Sequence, residues 1–172
     1  NCWKKFLYPN PVGKNFLILP SWRKRPNKFQ NKNIIKINPS LAFGSGEHPS
    51  TSLCLEMMEY ESMFSKKILD IGCGSGILSI AAKKLGAGDI FAIDKDYLSI
   101  KSTKENIGLN FDNQDHFYIY EGTFNDSKKI LSLENFDCIM CNILAGVIKE
   151  IIPFIPQIID QNGRIILSGI IS

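Results

Sequence analysis

The sequence lacks any uninterrupted apolar run that approaches the ~18 residues needed for a membrane-spanning helix. It has no initiating methionine, and residues 1–5 lack the apolar core and cleavage site of a secretory signal peptide. Internal repeats and low-complexity segments are also absent. The remaining composition, 44% hydrophobic and 22% charged, is that of an ordinary globular protein. We therefore expect a cytoplasmic protein that does not associate with membranes.

Cysteine and histidine are too few, or too irregularly spaced, for most metal and nucleophile chemistry. Five cysteines form an odd set, which excludes a complete disulfide framework. Cys138 and Cys141 form a Cys-x-x-Cys pair inside a predicted strand, where residues three apart point to opposite faces and cannot chelate one ion together. No second pair completes a zinc site, and the two histidines stand in no Ser-His-Asp order. We expect buried core thiols and no bound metal.

Acidic residues are absent from the first 46 positions. This segment carries nine Lys or Arg, so its formal charge is +9, whereas the remainder holds eleven basic and seventeen acidic residues and is −6. A basic segment of this kind can steer a protein toward ribosomal RNA or another part of a ribosomal surface. A solvated, lysine-rich segment is the alternative that the sequence leaves open.

The pattern of apolar residues divides the chain into residues 1–40 and residues 41–172. The first part reads as short strands and turns without a core of its own, and it leads into a glycine-containing loop and a helix near Pro49. From residue 66 onward strands and helices alternate, which predicts an α/β fold with a doubly wound, mostly parallel sheet. The predicted strands are Lys67–Ile71, Asp89–Asp94, His116–Glu121, Phe136–Ile143 and Arg164–Ile171, and the predicted helices are Ile77–Leu85, Asp96 to about Asn106, and the segment between Leu144 and Pro153. An apolar fifth strand left at the sheet edge and the missing methionine suggest a chain truncated at both ends, with the second domain incomplete after its fifth strand.

The strand-to-helix turn at residues 68–77 predicts a nucleoside-bearing cofactor. Gly72, Gly74 and Gly76 follow an apolar strand, and Asp94 ends the next strand, placed to accept hydrogen bonds from two ribose hydroxyls. A dinucleotide requires Gly-x-Gly-x-x-Gly, but position 77 is Ile. Asp70 lies just before the glycines, where a carboxylate would repel a pyrophosphate but suit an ammonium and a sulfonium. These features favour S-adenosyl-L-methionine over NAD, with the glycine amides binding its carboxylate.

Two further segments predict parts of the same site. Residues 43–51 contain Phe43, Gly44, Gly46 and His48, a loop able to fold over a ligand, and Thr51 follows at the start of a helix. Asn142 ends the fourth predicted strand, at the edge where an open parallel sheet binds its ligands. Its amide is suited to hold an incoming amine, which makes it the predicted catalytic residue, although an Asn at a strand end is often turn chemistry. No residue in the sequence is an obvious general base.

Together these motifs resemble one family over nearly the whole chain. The segments Leu19–Trp22, Leu41–Thr51, Ile68–Leu78, Asn142–Ala145 and Leu167–Ile170 are similar to those of the bacterial methyltransferases of ribosomal large-subunit protein eleven, the PrmA family. The resemblance implies a Rossmann-like class I methyltransferase domain over residues 41–172, which transfers methyl groups from S-adenosyl-L-methionine to lysine side chains and the N-terminal amine of a ribosomal protein. It also implies cofactor contacts from Thr51, Gly72, Asp94 and Asn142. Ser45 and Glu47 stand where the family usually has Thr, and the family's N-terminal substrate-recognition domain is absent.

Three other functions remain open from the residues alone. An Asn at this strand end also serves base amines, so a nucleic-acid or small-molecule N-methyltransferase is one alternative. A catalytically inactive cofactor-binding fragment is another, suggested by the truncated ends. An NAD-dependent oxidoreductase is disfavoured by Asp70 and Ile77.

Overall fold

The structure is a computed structural model that describes residues 7–38, 48–131 and 134–169. In helix Phe124–Leu131 the side chains are described through Ser127 only. The described strands are β1 (Asn10–Val12), β2 (Phe16–Pro20), β3 (Asn33–Ile37), β4 (Ile68–Ile71), β5 (Ile90–Asp94), β6 (Phe117–Glu121), β7 (Phe136–Asn142) and β8 (Ile159–Ser168). The helices are α1 (Pro49–Tyr60), α2 (Ile77–Lys84), α3 (Tyr97–Asn110), α4 (Phe124–Leu131) and α5 (Ala145–Ile151).

The larger sheet has five strands in the order β6-β5-β4-β7-β8, and all its pairings are parallel. The chain moves outward from β4 to β5 and β6, and then returns to place β7 on the other side of β4. The carboxyl ends of β4 and β7 therefore form the topological switch point at which such sheets bind ligands. This architecture confirms the predicted doubly wound α/β fold.

Alternation of side chains along the strands produces two apolar layers. One face of the sheet carries Ile68, Cys138, Met140 and Ile166, buried against residues of α1, α2 and α3. The opposite face carries Leu69, Ile71, Phe136 and Ile139, buried against residues of α4, α5 and the 3-10 segment Ile152–Gln157. Cys138 lies in the first layer and Cys141 in the second, as expected for residues three apart on a strand. Burial raises the pKa of each thiol to about 12, so both remain protonated.

A smaller sheet, in the order β1-β2-β3, packs on the first layer. Val12, Phe16, Ile18, Ile35 and Ile37 are buried in the same cluster as the residues of α1 and α2. The Glu59 carboxylate of α1 fastens the β1–β2 turn, since its two oxygens accept the backbone N–H groups of Lys14 at 2.7 Å and Asn15 at 2.6 Å. The strands of residues 7–38 thus share the core of the larger sheet.

The differences of more than one residue from the sequence predictions lie in β8, α3 and α4. The fifth strand of the larger sheet begins at Ile159 rather than Arg164 and ends at Ser168, because residues 160–163 form an irregular step between the pairs Phe136–Ile159 and Cys138–Arg164. Residues 170–172, at the predicted end of that strand, lie outside the described residues. Helix α3 runs to Asn110, one turn beyond the predicted end, and α4 is absent from the sequence predictions. Helix α5 ends at Ile151, where Pro153 stops the regular helix as expected.

Candidate functional site

The ends of the parallel strands bring the predicted site residues into one row. Ile71 of β4 pairs with Ile93 of β5 and with Cys141 of β7. The next residue of each strand is therefore level with the others, which places Gly72 between Asp94 and Asn142. With neighbouring strands ~4.8 Å apart, Asp94 and Asn142 flank the glycine turn about 10 Å from one another. This row lies at the switch point of the sheet.

The polar side chains of the row, and that of Asp70 before it, point to the face that carries α1, α2 and α3. Asp70, Asp94 and Asn142 follow Ile68, Ala92 and Met140 by two residues, so each shares the direction of its neighbour. Two hydrogen bonds agree with this direction, since Asp70 binds Ser79 of α2 and Asn142 binds Thr51 of α1. The candidate site is therefore bounded by the first turns of α1 and α2.

The glycine loop depends on backbone conformations that other residues rarely adopt. Gly72, Gly74 and Gly76 have φ of 75°, 56° and 77°. The loop is tied to β5, since the N–H groups of Gly72 and Cys73 both donate to the carbonyl oxygen of Ile93. A Cβ at Gly72 would overlap the Ile143 side chain, and one at Gly76 would lie 2.9 Å from Thr103 Cγ2. The N–H of Gly74 donates to Asp94 Oδ2 and that of Gly76 to the Cys73 carbonyl. The three glycine amides that the sequence predicted to bind the cofactor carboxylate are therefore all bonded within the protein.

Asp94 is fixed at the end of β5 by backbone donors. Its Oδ2 accepts the N–H of Gly74 at 2.9 Å and its Oδ1 accepts the N–H of Asp96 at 2.9 Å. Each carboxylate oxygen has capacity for more than one donor. The half-buried side chain therefore has oxygen lone pairs left for hydroxyl donors beside the glycine loop.

Asp70 does not extend into the open edge of the site. It is 1% exposed, and its Oδ2 accepts the hydroxyl of Ser79 at 2.6 Å and the N–H of Ser79 at 3.2 Å. Burial raises its pKa from 3.8 to about 6; the bonds from Ser79 lower it and the charge of Asp94 raises it further. At neutral pH a buried negative charge lies directly beneath the glycine loop, where it favours a cationic ligand through its field.

The raised pKa of Asp70 predicts a pH-dependent gain in stability for Asp70→Asn. A carboxyl whose folded-state pKa lies above its unfolded value stabilises the fold when protonated, and this contribution is lost as the pH rises through about 6. The amide group introduced by this substitution keeps an oxygen that accepts the bonds from Ser79 but carries no charge. The variant should therefore be more stable than the wild type at pH 8, by up to about 3 kcal/mol of unfolding free energy. The difference should shrink as the pH is lowered to 5, measured by urea unfolding. Asp112→Asn, at an exposed carboxyl, is the control, and an equal difference at both pH values would contradict the assignment.

Thr51 and Asn142 meet although 91 positions separate them in the chain. The Nδ2 of Asn142 donates to the Oγ1 of Thr51 at 3.2 Å, and Thr51 is buried. His48 caps the helix that carries Thr51, because its Nδ1 accepts the N–H of Ser50 at 3.3 Å. With the amide nitrogen directed at Thr51, the Oδ1 of Asn142 is the end of the side chain left for a ligand donor. Phe43, Gly44 and Gly46 lie outside the described residues, so the predicted substrate loop is represented here by His48 alone.

The sequence does not reveal the contacts that three residues make at the site. Ser79 holds Asp70, and Thr103 of α3 donates from Oγ1 to the Gly74 carbonyl at 3.0 Å. Gly169, with φ 84°, passes so close to Ile143 that a Cβ would overlap its carbonyl oxygen. The polar residues of α3 are visible in the sequence, but the groups to which they bind are determined only by the tertiary fold.

In the described part of the chain no group of three or more metal-ligating side chains is found. No helix there is long and apolar enough to cross a membrane.

A parallel sheet of this order, with a glycine turn after the first strand and an acid at the end of the second, defines the Rossmann-like class of nucleoside-cofactor-binding proteins. The fold is shared with a putative SAM-dependent methyltransferase from Streptococcus mutans, at TM-score 0.62 and 17% identity over 71% of this chain and 35% of that one. A ribosomal protein L11 methylase from Lactobacillus delbrueckii subsp. bulgaricus is much closer, at TM-score 0.83 and 30% identity over 95% of this chain and 80% of that one.

The sequence comparisons identify the particular family. The model of the family "Ribosomal protein L11 methyltransferase (PrmA)" matches residues 1–172, and the chain belongs to that family. Curated relatives of this name include one from Prochlorococcus marinus strain MIT 9515, 54% identical over 99% of this chain and 57% of the relative. Another, from Fusobacterium nucleatum, is 38% identical over 99% of this chain and 54% of the relative. The chain thus spans little more than half the length of the curated relatives that it matches.

Proposed function

We propose that the protein is an S-adenosyl-L-methionine-dependent N-methyltransferase that acts on amines of a large-subunit ribosomal protein. The observation that carries this proposal is the row at the sheet edge, where the glycine turn lies between the Asp94 carboxylate and the Asn142 amide. The names of the relatives support the substrate class, since they are ribosomal protein L11 methyltransferases. Lysine side chains and the N-terminal amine are the acceptors that we infer.

The residues of the site fit this cofactor. Asp94 is suited to its ribose hydroxyls, and the buried charge of Asp70 to its ammonium and sulfonium. The glycine N–H groups are already bonded within the protein, so the carboxylate of the cofactor is not assigned to them. Thr51 lies beside Asn142, at the opposite end of the row from Asp94. The same Asp70 charge would repel a pyrophosphate, which argues against NAD at this loop.

The chain's own residues supply binding and orientation rather than covalent chemistry. When bound, S-adenosyl-L-methionine supplies an electrophilic methyl group. The acceptor amine must be neutral, which for a lysine of pKa near 10.4 costs about 4–5 kcal/mol at pH 7 and for an α-amine near 8 only about 1 kcal/mol. The Oδ1 of Asn142 accepts an N–H of this neutral amine and fixes the direction of its lone pair. In-line alignment of this kind contributes up to ~7–11 kcal/mol.

The basic segment supports an approach to a ribosomal surface. Residues 7–38 contain seven Lys or Arg and no acid, and they form the small sheet and its loops. We propose that this surface lies near RNA phosphates when the protein meets a ribosomal substrate, and a ribosomal substrate would place the protein in the cytoplasm. The same surface would also suit a nucleic-acid N-methyltransferase, but the names of the relatives favour a protein substrate.

Asp94→Ala is expected to weaken cofactor binding by about 30-fold or more, because two charge-assisted hydrogen bonds to the ribose are lost. Isothermal titration with S-adenosyl-L-methionine measures the effect, with Asp112→Ala as a control for the removal of one carboxylate. The wild type should bind S-adenosyl-L-methionine in strong preference to NAD. The opposite preference, or unchanged affinity in Asp94→Ala, would refute the proposed site.

Radiolabelled methyl transfer separates the alternatives. Label in the ribosomal protein supports the proposal, and label in ribosomal RNA supports the nucleic-acid alternative. Binding of the cofactor without transfer to either acceptor would indicate a cofactor-binding fragment that is inactive.

A further inference from the structure

Helix α3 holds two consecutive carbonyl groups of the glycine loop. The Oγ1 of Thr103 donates to the carbonyl oxygen of Gly74 at 3.0 Å, and the Nδ2 of Asn106 donates to that of Ser75 at 2.8 Å. In a trans peptide the C=O and N–H groups point in opposite directions. Directing the Gly74 carbonyl toward α3 therefore turns the N–H of Ser75 away from α3. Side chains of α3 thus fix the orientation of two consecutive peptide groups of the loop.

Asn106 also binds a second, distant segment of main chain. Its Oδ1 accepts the N–H of Asn38, just beyond β3, at 2.8 Å. The residue is completely buried, and its one amide group uses a donor for the glycine loop and its acceptor for the small sheet. A primary amide suits this double role, because it carries an N–H donor and a carbonyl acceptor on the two short arms of one planar group. The glycine loop and the residue that follows β3 are therefore held by the same rigid group.

The next turn of α3 provides a natural comparison. Asn110 makes the same kind of contact with the small sheet, since its Oδ1 accepts the N–H of Lys36 at 2.9 Å and its Nδ2 donates to the Lys36 carbonyl at 2.7 Å. Its Nδ2 also donates to the carbonyl of Asn106 within the helix. Asn106 and Asn110 therefore share the function of fastening β3, and Asn106 adds the contact with Ser75.

We propose that Asn106 is a positioning residue that couples the small basic sheet to the cofactor site. It sets the orientation of the Gly74–Gly76 loop through Ser75 and ties that orientation to the position of Asn38. The inference rests on the proposed function, because the loop is taken to hold S-adenosyl-L-methionine. By reciprocity, whatever binds the small sheet and shifts Asn38 changes cofactor affinity by the same factor as the cofactor changes binding at the small sheet.

The test uses the full chain and titration with S-adenosylhomocysteine, with thermal unfolding of each variant as the measure of stability. Asn106→Ala should weaken binding by about tenfold, the effect of one buried hydrogen-bonded contact. Asn110→Ala should lower the unfolding temperature but leave the dissociation constant within about twofold of the wild type. Failure of the wild type to bind would refute the proposed function, whereas equal effects of the two variants on binding would refute the inference alone.

Asn106→Asp keeps the side-chain volume and carries the test by itself if Asn106→Ala does not fold. When the carboxyl group introduced by this substitution is protonated, it still donates to Ser75, but the ionised form presents an oxygen to the carbonyl and loses the donor. The affinity of this variant relative to the wild type should therefore fall as the pH rises from about 5 to about 9, the range in which a buried carboxyl ionises. A constant ratio across this range would overturn the inference.

Discussion

Asn142→Ala is expected to lower kcat by about 100-fold while weakening cofactor binding only about threefold. The amide nitrogen is already bound to Thr51, so truncation removes the Oδ1 that orients the acceptor amine. That contact contributes most to the rate of methyl transfer, because the lone pair of the amine must then align with the methyl group of the cofactor. It contributes little to the affinity for the cofactor when no acceptor is bound. Single-turnover methyl transfer gives the first quantity and calorimetric titration the second.

The Thr51 contact supplies a second variant for the same prediction. Thr51→Val keeps the shape of the side chain but removes the acceptor for the Asn142 Nδ2, so that the amide is free to rotate. Its kcat should fall between those of the wild type and Asn142→Ala. Asn162→Ala, at an exposed position in the first half of β8, controls for the loss of an Asn side chain. Equal losses of turnover and cofactor affinity in Asn142→Ala would show that the residue only holds the cofactor.

The fold could be predicted because its signals are local. Apolar runs closed by Asp94 and Asn142 mark two strand ends, and Asp96 starts α3 by accepting the N–H groups of Leu98 and Ser99. Because the strands are parallel, their carboxyl ends lie at the same edge of the sheet, so the sequence alone predicts that these residues are neighbours. The contact between Thr51 and Asn142 could not be derived in this way, because it depends on how α1 crosses the sheet. The cofactor contacts of both residues were predicted only through a family resemblance.

Helix α4, absent from the sequence predictions, carries a signal that is visible in the sequence. Thr123 and Asp126 form a reciprocal cap, in which the Asp126 carboxylate accepts the N–H of Thr123 at 2.9 Å and the Thr123 hydroxyl accepts the N–H of Asp126 at 3.2 Å. A Thr followed three residues later by an acid is a known helix start.

The early start of β8 is harder to predict from the sequence. Residues 160–163, Asp-Gln-Asn-Gly, have the local propensity of a turn rather than of a strand.

The surroundings of Asp70 are an example of what the sequence pattern does not predict. Its position before the glycines predicts a carboxylate near the cofactor's cationic groups, but the sequence does not reveal Ser79 as its hydrogen-bond partner or its burial. Ser79 belongs to a helix whose other buried residues are apolar, so its hydroxyl has no local reason to be buried. A polar contact between a strand end and the first turns of the next helix is fixed by packing alone.

Gly169→Ala is expected to cost about 3 kcal/mol or more of folding free energy and to reduce methyl transfer as well. Its φ of 84° is unfavourable for alanine, and the added Cβ would overlap the Ile143 carbonyl oxygen and lie 3.1 Å from the carbonyl carbon. These atoms belong to backbone and cannot move aside as a flexible side chain does. Any adjustment therefore shifts Ile143 and the adjoining Asn142 at the switch point of the sheet. An unfolding temperature lower by about 6–12 °C is the corresponding thermal effect.

Gly146→Ala is the matched control for the glycine effect. Gly146 lies in α5, where no atom comes within 4 Å of an added Cβ, and alanine there should stabilise the protein by about 0.5–1 kcal/mol. Differential scanning calorimetry and single-turnover transfer on both variants separate loss of fold from loss of site geometry. If Gly169→Ala unfolds at the wild-type temperature and retains full transfer, the close approach of the two strand ends does not set the position of Asn142.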